Sequence, residues 1–400
     1  MHDHILSPPI AGDRQAAFAR DEMPGRARVQ GRSGTASRLA LVLACAWLVV
    51  PPVVAQATSP AFADLSGAAQ ERVGASIDAM LKSKSVAKDR SANDLGWDCL
   101  AATELAAAGE PRAAARLRVI VTKLQGDMIK SAHGKPLGWT ASTVDKRCPG
   151  GGYDAFQDRS CNPPDTAYAF QSGLGIACLA RASKPLGDPA LLATARQVLG
   201  SWQAFLLAKT PCPDCLYFQT SSSANDAGRY VRNMNVFMAF GAASLGAAGD
   251  AEAMRIARRA MASELAESAR GNKGYLGALD PQWAKSASEA DRIENHAASV
   301  AVLSMQMATL MGDAKVEQHA RKVWREWATC DNERCRTATC SYWAADPARC
   351  QTTQTAAHCA FRGTDARARK WCQQYLDKVP AVGAFGIWAL GVGGAAKPVR

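Results

Sequence analysis

Period-2 alternation of apolar and polar residues is nearly absent from this chain of 400 residues, which argues against a sheet-based fold. Other absences remove whole classes of chemistry. The run Gly150-Gly151-Gly152 has no following Lys-Ser/Thr and opens no helix, so it is not a phosphate loop. No serine sits in a Gly-x-Ser-x-Gly elbow, and His133, His319 and His358 have no metal-ligand spacing. Neither a cofactor nor a metal is therefore expected. The apolar run Leu39–Val50 has twelve residues, too few to span a bilayer comfortably, so stable membrane insertion is not expected either.

That run has the flanks of a targeting segment. Arg26, Arg28, Arg32 and Arg38 precede it, and Ala55-Gln56-Ala57 offers a small-x-small cleavage site. Residues 1–57 read as a secretory signal region, which Met23 as the start would bring to ordinary length, and 58–400 as a single domain. Cys45 after Leu43-Ala44 is a weaker lipoprotein signal, because the apolar run continues past it. The expected location is periplasmic or extracellular. Without residues 1–57 the chain keeps 41 basic and 32 acidic side chains, a net +9 that attracts anionic polymers. Arg258-Arg259 and Arg367 with Arg369 lie on separate helical segments rather than in one basic run. A glycan is therefore the expected partner, and nucleic acid is not.

Twelve of the thirteen cysteines lie beyond the signal region, an even number in a compartment that permits oxidation. Six disulfides are the default. Cys148 and Cys161 bracket a Gly-rich segment, Cys212-x-x-Cys215 sits in Pro-Cys-Pro-Asp-Cys, and Cys330, Cys335, Cys340 and Cys350 crowd one connection. The Cys212/Cys215 spacing also suits a redox pair or half a zinc site. No thioredoxin-like strand–helix pattern surrounds it and no second pair at zinc-finger spacing follows, so a structural disulfide is the expectation.

Five times an Ala-rich or apolar stretch runs into Gly and then, at once or one residue later, an acid: Gly109-Glu110, Gly187-Asp188, Gly249-Asp250, Gly312-Asp313 and Gly363-Thr364-Asp365. Gly ends a helix by taking the left-handed conformation without a Cβ penalty, and the acid or its neighbour caps the next. Each unit reads as a helical hairpin. Successive glycines are 78, 62, 63 and 51 residues apart, longer than short solenoid repeats of about 33 to 47. The expected hairpins are 98–108 with 110–131, 165–182 with 189–207, 231–248 with 251–269, 292–311 with 314–329, and a shorter 352–361 with 365–379. Residues 64–83 read as a lone helix packed outside. The first helices of hairpins two to four are apolar nearly all round and the second amphipathic, which implies an inner and an outer ring. The fold class expected is all-α: an α/α toroid, an incomplete barrel of five to six hairpins with disulfide-braced loops.

Inner helices that run in one direction bring their starts to one face. Trp97-Asp98 opens the first hairpin, Asp165 to Tyr168 the second, Tyr230 to Asn235 the third, and Asp291 to His296 the fourth. Asn233 and His296 both lie sixteen residues before their turn glycine, and Arg232 and Asn295 seventeen before. Arg, Asn, Glu and His at matched positions exceed what helix capping requires. The long connections 133–164, 208–230 and 270–291 carry Trp139, Tyr153, Phe156, Tyr217, Phe218, Tyr275 and Trp283, which suit either stacking on sugar rings or covering the ends of the ring.

In this repeat pattern and these polar helix starts the chain resembles the α/α-toroid superfamily of six-hairpin glycosidases and toroidal polysaccharide lyases, over about residues 90 to 380. Asn295-His296 resembles two members of the Asn-Asn-His tripeptide of alginate-lyase-like toroids, with Glu294 where the first Asn would stand. The resemblance implies a secreted enzyme cleaving a polysaccharide, with an anionic glycan favoured by the charge. In a lyase, Asn295 or Asn233 with Arg232 would neutralise a uronate carboxylate, His296 or Tyr230 would take the C5 proton, and a tyrosine such as Tyr168 would protonate the leaving oxygen. In a hydrolase, Glu294 with Asp165 or Asp98 would supply the two carboxylates. Asn233, Asn235, Tyr230, Trp97, Asp98, Trp283 and Tyr275 are the substrate-binding candidates. The rival expectation is a non-catalytic glycan- or protein-binding toroid of the cell envelope.

Overall fold

Alanine, leucine and methionine favour helix, and the chain's Gly-acid punctuation divides that helix into pairs. The computed structural model describes residues 64–83, 92–141, 148, 152–154, 160–208, 210, 212–270, 296–328, 356–379 and 381–395, all within one unit, Gln56–Arg400. The helices described are α1 (Gly67–Lys82), α2 (Ala92–Ala107), α3 (Ala113–Gly126), α4 (Ala169–Leu186), α5 (Ala190–Trp202) and α6 (Arg232–Ala247). There follow α7 (Ala251–Ala269), α8 (His296–Met311), α9 (Ala314–Ala328), α10 (Ala357–Ala360), α11 (Ala366–Lys378) and α12 (Ala384–Ala395). Among the described residues the one sheet is an antiparallel pair, β1 (Ile129–Lys130) with β2 (Pro136–Gly138). None of the described helices is long and apolar enough to cross a membrane.

Four of the five hairpin turns form as the sequence implies. Gly109, Gly187, Gly249 and Gly312 take φ of 87°, 63°, 104° and 63°. The acids behind them accept the freed helix amides: Asp250 Oδ1 from Ala253 N at 2.9 Å, Asp313 Oδ1 from Lys315 N at 2.9 Å, and Asp188 Oδ1 from Ala190 N at 3.0 Å. Gly363 differs, since it has no positive φ. The cap survives there, with Asp365 Oδ1 accepting from Arg367 N at 2.9 Å.

The first members of the pairs form the inner ring. Helix α2 packs on α4, α4 on α6, α6 on α8, α8 on α10, α10 on α12, and α12 returns to α2. Helices α3, α5, α7, α9 and α11 lie outside their partners. The helix at 67–82, expected to stand alone, packs on α11, α12 and α3 and so becomes the outer member of a sixth pair. Its inner member is α12, from the other end of the chain. That helix has no counterpart in the sequence reading because Gly386, Gly391, Gly393 and Gly394 depress its helix propensity. The packing requires Gly393 and is tight at Gly391. A Cβ on Gly393 would lie 2.1 Å from Cys359 O, and one on Gly391 would lie 3.1 Å from Glu104 Cγ.

Close approach also sets the inner ring elsewhere. A Cβ on Gly173 of α4 would fall 2.2 Å from Phe237 O of α6, so these helices meet backbone to backbone. Disulfides reinforce the layers. Cys99–Cys178 ties α2 to α4, Cys359–Cys372 ties α10 to α11, and Cys148–Cys161 and Cys212–Cys215 close loops. The Cys212/Cys215 pair is thus the structural bridge expected; Cys330, Cys335, Cys340 and Cys350 lie outside the described residues.

Two helix starts differ from expectation. Helix α2 begins at Ala92, six residues before Asp98, and α4 begins at Ala169, after a turn in which Thr166 N donates to Pro163 O at 3.1 Å and an extended cap, Tyr168. Of the loop aromatics, Trp139, Tyr217 and Phe218 are buried and cover the helical ends, with Trp139 Nε1 donating to Leu124 O at 2.7 Å. Phe156, Tyr275 and Trp283 lie outside the described residues.

Candidate functional site at the starts of the inner helices

The starts of α4 and α6 are joined by the loop between α5 and α6. Ala169 N donates to Thr220 O at 2.9 Å, Ser222 N to Ala167 O at 2.8 Å, and Phe218 N to Asn235 Oδ1 at 3.0 Å. Loop backbone held this way can carry side chains at fixed positions.

An aromatic cluster occupies the axis of the ring. Trp97 of α2 lies 5.8 Å from Phe237 of α6, 4.9 Å from Phe385 of α12 and 5.4 Å from Trp388, between ring centroids. Phe170 of α4 lies 3.9 Å from Phe237. Phe237, Phe385 and Trp388 are fully buried, whereas Trp97 and Phe170 retain partial exposure, as does Met234. Asn233 stands one turn before Phe237 on the same face of α6. It is 2% exposed, and its Oδ1 accepts no hydrogen bond among the described residues.

Behind this axis sit two buried polar networks. Arg232 grips Glu264 of α7 with two bonds, Nε to Oε2 at 2.7 Å and Nη2 to Oε1 at 2.8 Å, and His319 Nε2 of α9 lies 2.9 Å from the same Oε1. Burial by itself would raise the Glu264 carboxyl, but the Arg232 guanidinium and the His319 ring outweigh it and hold the group below its ordinary value. Beside it, Tyr217 and Tyr230 stack at 3.9 Å, and Tyr217 donates to Glu267 Oε1 at 2.7 Å. Desolvation pushes the Tyr230 and Tyr217 phenols well above their ordinary range, so both remain protonated.

The second network lies at the start of α4. Tyr168, 1% exposed, donates to Tyr153 O at 3.1 Å, and burial raises its phenol strongly. Nearby, Asp226 Oδ2 accepts from Ser221 Oγ at 2.5 Å and from Asn162 Nδ2 at 2.8 Å. The raised values keep these phenols protonated, as weaker acids than a free tyrosine, and as bases they would need far more alkaline conditions.

The expected residues therefore separate into groups. Asp165 is exposed just before α4. Trp97 and Asn233 belong to the axis. Asp98 faces α3 instead, its Oδ2 3.2 Å from Arg116 Nη2, because beginning α2 at Ala92 puts it in the second turn. Arg232, Tyr230 and Asn235 are tied between inner and outer helices, with Asn235 facing Phe218 N and Leu216 O. His296 is the first residue of α8; its side chain, together with Glu294, Asn295, Tyr275 and Trp283, lies outside the described residues. Phe170, Phe237, Phe385, Trp388 and Glu264 are central and were not singled out from the sequence. An aromatic in the first two turns of an apolar inner helix was the available signal for the first three.

No protein-family model and no curated protein matches this sequence. Solved structures do resemble the ring. A GH76 α-mannanase from Bacteroides thetaiotaomicron matches at 8% identity over 84% of this chain and 97% of that one, with a TM-score of 0.51. An endo-β-1,4-glucanase from Acetobacter xylinum matches at 14% identity over 82% and 98%, TM-score 0.49, and a D-mannose isomerase at 10% identity over 77% and 84%, TM-score 0.49. At such identities the likeness is one of fold. The chain has an α/α-toroid fold.

Proposed function

We propose that this protein is a secreted carbohydrate-active enzyme that cleaves a polysaccharide, an anionic one by preference, at the starts of its inner helices. The observation that carries the reading is the half-buried aromatic pair Trp97 and Phe170 on the ring axis, next to a buried Asn233 oxygen without a hydrogen-bond partner among the described residues. Flat aromatic faces bind the apolar faces of sugars, and an unpaired buried amide is a costly feature that a ligand hydroxyl or amide would relieve. The GH76 α-mannanase with the same fold supports the substrate class. Disulfides among the described residues support an oxidising compartment, as the signal region 1–57 implies.

Roles follow from chemistry. Arg232 is committed to Glu264 and acts as a positioning residue, so a uronate carboxylate is left to hydrogen bonds from the Asn295 amide N–H groups, while Asn233 Oδ1 accepts from a sugar hydroxyl. His296 is the base of a lyase; a tyrosine held protonated, such as Tyr168, is its acid. For hydrolysis the carboxylates are Glu294 and Asp165. The mature chain from Thr58 is to be incubated with uronate and neutral glycans. An unsaturated, ultraviolet-absorbing product identifies the lyase, abolished by His296→Ala; new reducing ends without it identify the hydrolase, abolished by Glu294→Gln. Both variants should melt like the parent. Binding without turnover across the panel would overturn the enzyme reading in favour of a glycan-binding toroid.

A further inference from the structure

The outer faces of α9 and α11 each carry a row of cations. On α11, Arg367, Lys370, Gln374 and Lys378 are all exposed and follow one line at i, i+3, i+7 and i+11, a stripe roughly 16 Å long. On α9, Lys315, Gln318, Lys322 and Arg325 repeat the arrangement at i, i+3, i+7 and i+10, again all exposed. The helices are neighbours, since the rings of Trp324 and Trp371 lie 6.0 Å apart. Each line also carries one acid, half-buried Glu326 at i+4 from Lys322 and exposed Asp377 at i+7 from Lys370, the latter accepting from Gln373 Nε2 at 2.7 Å, so each stripe stays net cationic; Glu317 stands off its line, bound by Arg321 Nε at 3.0 Å. Lys315, Arg367, Lys370 and Lys378 enter no ion pair among the described residues. Other outer helices differ. The exposed positions of α1 mix Glu71 with Lys82, and on α7 Glu252 and Arg255 satisfy each other at 2.7 Å.

We infer that this double stripe is a docking surface for a polyanionic polysaccharide, on the outside of the ring and apart from the inner-helix starts. Two neighbouring rows of cations suit a chain with a repeating negative charge, and the glutamine within each row can bond hydroxyl groups. A bilayer is disfavoured because neither stripe holds an apolar side chain to enter it; Leu206, the exposed large hydrophobic among the described residues, lies elsewhere. Nucleic acid is disfavoured because no exposed aromatic is present on either stripe to stack a base. Docking there would keep the ring beside its polymer and raise the local concentration of cleavable segments. The inference does not depend on the cleavage chemistry, since a protein without turnover would still bind.

The test is binding of the mature protein to immobilised polygalacturonate, with neutral dextran as reference, over a series of salt concentrations. The variant K315Q/K322Q/K370Q/K378Q should bind about tenfold more weakly or worse, with a shallower salt dependence, through loss of counterion release. The control K82Q/R118Q/K130Q/K135Q removes equal charge elsewhere and should stay within about twofold of the parent. Unchanged melting of both variants excludes misfolding. Equal losses in the two variants, no loss in the first, or stronger binding to duplex DNA or anionic vesicles than to polygalacturonate would each overturn the inference.

Discussion

Arg362, just after α10, reaches Asp64, just before α1, across 298 positions of sequence, with Nε 3.1 Å from Oδ2. The same guanidinium donates Nη1 to Cys359 O at 2.9 Å and to Leu390 O at 2.6 Å. One side chain thus fastens the segment entering α1, the fifth pair and α12 at the seam of the ring. Arg362 is buried, whereas the Asp64 carboxylate is 44% exposed, so the two partners are unequal.

Arg362→Ala should therefore lower stability by about 3 kcal/mol, because it strands buried carbonyls and empties a packed site. Asp64→Asn should lower it by only about 0.5 kcal/mol, as for a solvent-screened pair. Urea unfolding of both variants measures the difference; equal effects would mean that the seam is held by something other than the carbonyl bonds.

Glu264 holds two cationic or polar partners in the interior. Glu264→Gln leaves Arg232 buried without its counter-charge and should cost about 3–5 kcal/mol. A carboxylate whose pKa is depressed on folding contributes stability above its unfolded value of 4.5, and that stability is lost as pH falls through the folded value. Melting curves from pH 7 to pH 3 should show an acid limb that is weaker in the Gln variant.

His358 is enclosed by Trp324, Trp327 and Trp371, with Nδ1 accepting from Trp324 Nε1 at 3.2 Å. Burial pushes its pKa down to about 3. Its ring stays neutral in the fold, while the unfolded chain takes up a proton below about pH 6.5. Stability from this group is whole above 6.5 and declines between 6.5 and 3 as acid is added. Nuclear magnetic resonance should find the His358 ring neutral at pH 5; a protonated ring there would refute this.

Cys99–Cys178 closes 79 residues and Cys212–Cys215 closes three. In the chain-entropy account, replacing the first pair with serine should cost about 4 kcal/mol and the second about 2 kcal/mol or less. Calorimetry of the two double variants decides. A larger effect for the short bridge would show that the loop joining α5 to α6 depends on it for more than entropy.

Asn233 offers a separate test of the axis. Asn233→Leu replaces an unpaired buried oxygen with a similarly branched but larger apolar side chain, so relief of the unpaired group and added bulk oppose each other and stability should change by less than about 2 kcal/mol. Glycan turnover should fall about tenfold or more if the amide meets substrate. A sharp drop in melting temperature with normal residual activity would make Asn233 a structural residue.

The helix content, the four Gly-acid turns and the division into apolar first and amphipathic second helices were all legible in the chain, because each depends on local propensity, capping and periodicity. Gly249 and Asp250 specify their turn without reference to anything distant. Closure of the ring depended on tertiary structure. Helix α12 forms despite four glycines because it packs on α2 and α10, where Cys359 O leaves no room for a side chain at Gly393, and α1 finds its role only as its outer partner. The same holds for the site. Composition could bring Arg232, Asn233 and Tyr230 to a helix start, but a 100° step per residue decides that Asn233 looks toward the axis while Arg232 turns to Glu264. That angle acts through contacts dozens of residues away in sequence, and no local pattern encodes it.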